Sequence, residues 1–316
     1  MNSLKVGRYK VAITHPERTL FPKSKITKED LIEYYNDIAS YMVPYLKDRP
    51  LTMHRYPEGI TQEGFYQKDM PDYFPDFIKG KTIPKKEGGS TTYVVCNNAA
   101  TLVYLANQAC ITPHVWLSKI DKLKYPDMLI FDMDPPSTTK KSFNLVRHAA
   151  LSLKKILEDI GLVPFVKTTG SRGLHVVVPI KRTATFDAVR TCAQKIAQIL
   201  IDNDPKHFTM EIRKEKRGNK VFIDTLRNAY AQTAVAPYAV RAKEKAPVAT
   251  PIFWDEVEDA TLTSQRYNID NIFNYLKKHK DPWKNFFKSA RDIKSACKKL
   301  KRSYGFQPSS RLRRTG

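Results

Sequence analysis

Residues 129–136 read Leu129-Ile-Phe-Asp132-Met-Asp134-Pro-Pro136, and this stretch decides how the rest of the chain is read. Side chains alternate faces along a strand, so Asp132 and Asp134 project to one side while Phe131 and Met133 pack on the other. Pro135 cannot donate to a β-ladder and ends the strand, leaving both carboxylates at its rim. Outward from this strand, strand and helix patterns alternate. Residues 128–133, 163–168, 174–180 and 221–223 read as short strands. Residues 142–160 carry apolar side chains at 146, 149, 150, 153 and 157 and stop at Gly161, which predicts an amphipathic helix closed by a glycine. Residues 186–201 predict a second such helix. Thr27-Lys-Glu-Asp30 has the form of a cap with an acidic third position, opening a helix that runs to about Tyr41. The whole predicts an α+β fold with a central mixed sheet flanked by helices.

A chain of 316 residues can bury a large core without a disulfide or metal staple. The four cysteines are scattered singly, which argues against a zinc site or a disulfide framework. No repeat and no long Gly/Ser linker divides the chain, so a single domain is expected over 1–316, with a basic helical region and tail from about 271. Lys+Arg of 54 against Asp+Glu of 32 leaves a net charge of +22, which favours a polyanionic partner. Residues 271–316 alone hold 14 Lys/Arg against two Asp. The last ten of them read as a solvated tail, and the stretch before reads equally as a surface that meets phosphate. A hydrophobic share of 41% excludes a wholly disordered chain. No apolar run approaches a membrane span, and the first residues lack the apolar core of a secretory signal. A cytoplasmic protein without a membrane partner is expected.

Two carboxylates a few ångströms apart repel unless a cation sits between them, and hard oxygen ligands suit Mg²⁺ or Mn²⁺. Asp132 and Asp134 alone read equally as such a pair or as a polar strand end that caps the next helix. Val221-Phe-Ile-Asp224 is a second apolar run ending in an aspartate. On a neighbouring strand, Asp224 would complete a two-metal site of the kind used for in-line attack on phosphorus; alone it reads as a turn residue. Lys167-Thr-Thr169-Gly170-Ser171-Arg172-Gly173-Leu-His175 joins two strands through a glycine turn whose amides can form an anion nest. Arg172 and His175 can add charge-assisted bonds to phosphate. The alternative is a plain hairpin turn with a satisfied histidine. No Gly-Lys-Ser/Thr follows, so this is not a Walker loop. Residues 213–220, Arg-Lys-Glu-Lys-Arg217-Gly-Asn-Lys, predict a basic hairpin that is either a phosphate contact or a solvated loop. Arg241 ends an apolar segment that would hold its guanidinium partly buried. His54, Arg55, Phe65, Tyr66 and Lys68 interleave cations with aromatics in a glycine-containing loop, as unpaired nucleic-acid ends require, although Phe65 or Tyr66 alone reads as core. His148, His207 and His279 read as structural.

Taken together, these motifs resemble the polymerase domain of bacterial ligase D, within the archaeo-eukaryotic primase superfamily. The resemblance is carried by Phe131-Asp-Met-Asp-Pro-Pro, Gly170-Ser-Arg-Gly-Leu-His, Val221-Phe-Ile-Asp-Thr-Leu-Arg-Asn and Thr233-Ala-Val-Ala-Pro-Tyr-Ala-Val-Arg-Ala. Thr14-His-Pro-Glu-Arg-Thr-Leu-Phe-Pro, Arg55-Tyr-Pro-Glu-Gly and Cys110-Ile-Thr-Pro-His-Val-Trp add to it, so that it spans roughly residues 5–260. It implies a primase-polymerase fold and a template-dependent nucleotidyltransferase that fills gaps and ends during non-homologous end joining, favouring ribonucleotides and Mn²⁺. By motif, Asp132, Asp134 and Asp224 would hold two metal ions. Thr169, Ser171, Arg172, His175 and Arg241 would bind the incoming triphosphate of an NTP or dNTP, with His114 close by. Arg217 would lie on the hairpin that arranges primer and active site. Phe65 and Tyr66 would lie on the surface loop that handles the opposing end. Arg18 and Lys28 would bind the 5′-phosphate across the gap. Two positions depart from the pattern: Thr169 stands where serine is frequent, and His54 where lysine is.

With no room for a ligase or nuclease domain, the resemblance implies a stand-alone polymerase that works with Ku and a separate DNA ligase. Two other functions fit the charge: a primase that starts chains de novo, and a non-catalytic DNA-end-binding protein. The lack of paired zinc-ligand cysteines weighs against the first, and the acidic triad against the second.

Overall fold

A computed structural model of the chain describes residues 3–85 and 87–304. The strand Met128–Asp134 lies inside a six-stranded sheet. On one side of it stand Val221–Asp224 and then Phe208–Thr209; on the other stand Leu174–Pro179, Phe165–Thr168 and Pro251–Ile252. All neighbours are antiparallel except the edge pair, where Phe208 faces Val221 in parallel. The sheet is therefore mixed, as the sequence predicts.

The two faces of Met128–Asp134 serve different cores. Leu129, Phe131 and Met133 pack beneath the helices Lys140–Asp159 and Phe186–Asn203. Met128 and Ile130 face a second core, shared with the helices Lys28–Asp37 and Ala99–Asn107. A four-stranded sheet built from Thr233–Val235, Cys110–Trp116, Leu51–Arg55 and Phe65–Gln67 closes that second core. Asp132 and Asp134 continue the second face, where the apolar layer gives way to a cleft between the two sheets.

The helices follow their local signals closely. In Lys140–Asp159 the residues 146, 149, 150, 153 and 157 are all buried, and burial of Val146, Leu153 and Leu157 contributes about 1.5–3 kcal/mol each. The Thr139 hydroxyl caps its start by accepting from the Ser142 amide at 3.2 Å, and Gly161 follows its end at φ +81°. Thr27 and Asp30 form the expected reciprocal capping box. The helix they open ends at Asp37, breaks at Ile38 and restarts as Ala39–Leu46, so it does not run unbroken to Tyr41.

Three further expectations are corrected. Cys192 and Cys297 are joined as a disulfide, because the helix Ile293–Tyr304 packs on Phe186–Asn203 and brings their Cα atoms to 6.1 Å across 105 residues. The basic stretch around Arg217 is not a hairpin: it holds a short 3₁₀ turn, Lys214–Lys216, and connects strands that run parallel. Phe65 and Tyr66 do not lie on a loop but on an edge strand, where Arg55 pairs with Phe65 and His54 with Tyr66. The basic C-terminal region supplies Ile272, Tyr275 and Leu276 to one core and Ile293, Ala296 and Leu300 to the other, with Lys277, Lys278 and Lys298 outside. The expected tail, residues 307–316, lies outside the described residues. No helix among the described residues is long and apolar enough to cross a membrane.

Candidate active site

Antiparallel register places Asp132 directly opposite Asp224 on one neighbour and opposite His175 on the other. Asp134 shares the face of Asp132 two residues on. Each carboxylate has a different partner. His175 Nε2 lies 3.3 Å from Asp132 Oδ1, and Arg227 Nε lies 3.7 Å from Asp132 Oδ2. Arg172 Nη2 lies 3.5 Å from Asp134 Oδ1, and the Leu226 amide donates to Asp224 Oδ1 at 2.6 Å. Burial raises the Asp132 carboxyl, but His175, Arg227 and Lys167 outweigh it and hold the group ionised. Asp134 moves the other way, raised by burial and then by the charge of Asp132. Asp224 is also raised, by burial and, in part, by Asp132.

The turn 169–173 is built by its glycines. Gly170 sits at φ +62°, where L-residues are strained. At Gly173 a Cβ would collide with the Met133 carbonyl, so only glycine lets the turn lie against the acidic strand. Thr169 Oγ1 accepts from the Ser171 and Gly173 amides at 3.2 and 3.1 Å, which commits this hydroxyl to the turn itself. Arg241 Nη1 donates to the Thr169 carbonyl at 2.6 Å and so reaches the same turn from the far side.

A cavity of about 160 Å³ collects these groups. Asp132, Asp134, Thr169, Ser171, Arg172, His175, Arg241 and His114 all line it, and so does Arg227. Sequence reasoning gave no role to Arg227, which sits on a 3₁₀ turn after Asp224 and meets Asp132 only through strand pairing. Lys167 also lacked a role. It pairs with His175 across the hairpin and is only 1% exposed, with no partner for its Nζ. Burial, then Arg241, lowers its ammonium to about 7. His114 Nε2 and His175 Nδ1 are likewise buried without partners. His114 and His175 line the cavity, so two of these polar atoms fit a site for a polar ligand, whereas Lys167 is not among the lining residues.

The other predicted residues flank this cavity or stand apart from it. His54 stacks on Tyr66 with ring centres 4.0 Å apart, and Tyr66 meets His114 edge-on at 5.6 Å. Phe65 and Tyr66 are exposed, as is Lys68, and the Arg55 guanidinium lies 5.6 Å over the Phe65 ring. Arg217 stacks 3.6 Å over Phe222, the residue paired with Asp134, and donates to the Glu211 and Ile212 carbonyls. Arg18 and Lys28 do not line the cavity. Arg18 Nη1 bonds Glu58 Oε1 at 2.9 Å, while Lys28 is buried with its Nζ 3.3 Å from Thr14 Oγ1. Burial and then Arg18 lower the Lys28 ammonium, so the two cations are near neighbours.

Among the described residues, no group of three His, Cys, Asp or Glu side chains is gathered tightly enough to hold a metal ion as placed. The donor set nonetheless fits one. Three hard carboxylates stand together, and Asp134 and Asp224 are raised first by burial and then by the charge of Asp132, a charge that a divalent cation would offset. In this structure Arg172 and Arg227 provide counter-charge, while His175, whose imidazole burial and then Lys167 lower to about 4, faces Asp132 as a neutral hydrogen-bond partner.

Paired strands that hold carboxylates beside a small cation-lined cavity place this chain among mixed α+β domains with a polar site at the end of a central strand. The family model for the LigD primase-polymerase domain matches residues 27–283, and the chain belongs to that family. The bifunctional non-homologous end joining protein LigD of Bacillus subtilis is 34% identical over 90% of this chain and 45% of that protein. The multifunctional LigD of Mycolicibacterium smegmatis is 31% identical over 86% of this chain and 35% of that protein. The chain thus spans less than half the length of these relatives. Among solved structures, the polymerase domain of Mycobacterium tuberculosis ligase D in complex with DNA superposes with a TM-score of 0.83 at 28% identity, covering 89% of this chain and 99% of that one.

Proposed function

We propose that the chain is a template-dependent polymerase that fills gaps and ends at DNA double-strand breaks, with Ku and a DNA ligase as partners in end joining. The observation that carries this reading is the register that sets Asp132 opposite both Asp224 and His175, at the edge of a cation-lined cavity that Asp132, Asp134 and His175 line and Asp224 does not. Divalent ions, Mg²⁺ or Mn²⁺, would be held by Asp132, Asp134 and Asp224, and when bound they stabilise the charge of an in-line displacement at phosphorus. The residues of this chain bind and orient. Ser171, Arg172, His175 and Arg241 offer donors to the triphosphate of an NTP or dNTP, and His114 stands on the opposite wall with a free ring nitrogen. Thr169 shapes the turn that presents them. Tyr66, stacked on His54, and Phe65, under Arg55, offer faces for an unpaired base. Arg217 lies beside the carboxylates, near the expected primer end. Arg18 and Lys28 take the downstream 5′-phosphate.

The test is extension of a labelled primer on a gapped duplex, with and without the 5′-phosphate, in Mg²⁺ and in Mn²⁺. Extension is expected in the wild type and absent in Asp132→Ala, whose DNA affinity stays the same or tightens because Lys and Arg elsewhere carry it. Equal extension by Asp132→Ala would remove the acidic cluster from the reaction. Product formed on a template without a primer would favour the primase reading instead.

A further inference from the structure

Next to the carboxylate cavity lies a second, larger cleft of about 510 Å³. Its walls come from residues 135–140 beyond the acidic strand, from the turn 169–173, and from residues 261–265, with Lys243 closing one side. Arg172 and Ser171 line the cleft and the cavity alike, so the two spaces meet at the donors assigned to the triphosphate. The charge of the cleft has one sign. Lys140, Arg172 and Lys243 line it and no Asp or Glu does. Lys140 and Lys243 are exposed and enter no ion pair among the described residues. Ser137, Thr138 and Thr263 also line it.

We propose that this cleft receives the inorganic pyrophosphate displaced when a nucleotide is joined to the primer, an inference that rests on the polymerase reading above. In that step the primer 3′-oxygen bonds to the α-phosphorus. The bond from the α-phosphorus to the bridging oxygen breaks, its electron pair leaves with pyrophosphate, and the hydroxyl proton passes to solvent. Arg172 stands at the border and can hold the same phosphates before and after the bond breaks. Lys140 and Lys243 line the cleft but not the carboxylate cavity, and would draw the free product outward. A small polyphosphate suits the cleft better than a nucleic-acid strand. Strand-binding grooves offer exposed aromatic faces, whereas the one aromatic here, Phe143, is buried, and the exposed rings Phe65 and Tyr66 belong to the other sheet.

The experiment titrates inorganic pyrophosphate into the full chain by calorimetry and, separately, measures pyrophosphate inhibition of primer extension. The Lys140→Ala/Lys243→Ala variant is expected to bind pyrophosphate about tenfold more weakly, with the nucleotide KM moved less than about twofold, and Lys140→Arg/Lys243→Arg to restore binding. Unchanged pyrophosphate affinity in the alanine variant, in a wild type that extends primers, overturns the proposal alone. A nucleotide KM that rises in step also overturns it, since the cleft would then be part of the triphosphate site. Equal loss of primer-template affinity overturns it in favour of a strand-binding groove. Lysine-dependent pyrophosphate binding in a chain that extends no primer leaves the anion cleft standing and removes the polymerase reading.

Discussion

At the scale of single residues, His54 links the site to the pH response of the fold. Burial, and then Arg241, lowers its imidazole from 6.5 to about 4. Between those values the unfolded chain takes up a proton that the folded chain does not. The unfolded state therefore binds more protons there, and stability falls as pH drops through the window. Thermal midpoints measured near pH 7 and near pH 5 should show this loss, and His54→Gln should lose less over the same interval. An equal drop in the variant would place the effect elsewhere. The sequence could flag His54 beside aromatics, but not that Tyr66 would stack on it, because that contact comes from strand pairing. Lys167 and Arg227 escaped for the same reason. Each is an ordinary cation in sequence and becomes part of the site only when register sets it beside His175 or Asp132.

At the scale of elements, the strands 128–134, 165–168, 174–179 and 221–224 and the helices that cover them were legible to within two residues, because period and caps are local signals. The edge strand Phe65–Gln67 and the parallel edge pair were not, since edges are defined by a partner rather than by a pattern. The turn 169–173 is the element most exposed to a small change. Ser264 Oγ donates to the Gly173 carbonyl at 2.8 Å and pins the turn while Gly173 lies on Met133. Gly173→Ala must push the turn off the strand at about 1–3 kcal/mol, as overpacking does. A lower melting temperature together with a raised nucleotide KM is expected, since Arg172 and His175 flank the position. A variant with wild-type melting and KM would show that the close approach is not needed.

At the scale of the whole molecule, two features act at a distance from the cavity. Arg18 and Lys28 sit beside each other, yet Glu58 already holds Arg18. A 5′-phosphate monoester carries more charge than a diester and can compete with that carboxylate. Binding to a gapped duplex should be tighter with a 5′-phosphate than with a 5′-hydroxyl, and the difference should shrink as salt rises. Arg18→Ala/Lys28→Ala should erase the difference while leaving plain primer extension intact. Equal affinity for both gaps at low salt would rule out a dedicated end pocket. The second feature is the cystine, invisible in a sequence whose cysteines are so far apart. Cys192–Cys297 closes a loop of about a hundred residues, so Cys297→Ser should cost about 2–4 kcal/mol. Chemical denaturation of the two proteins reads that difference, and identical midpoints would mean that the helix Ile293–Tyr304 is held by packing alone.

The two-faced strand Met128–Asp134 also sets what kind of genetic change this protein can absorb. Its even positions end in carboxylates and its odd positions fill a packed layer. Deleting one codon between 128 and 131 would turn the strand over, bringing Phe131 and Met133 to the cleft and pushing two charges into the apolar layer. Codons there can be exchanged for others of like polarity, but their number is locked. Variation in length belongs instead to the stretch between Thr209 and Val221, which no ladder counts.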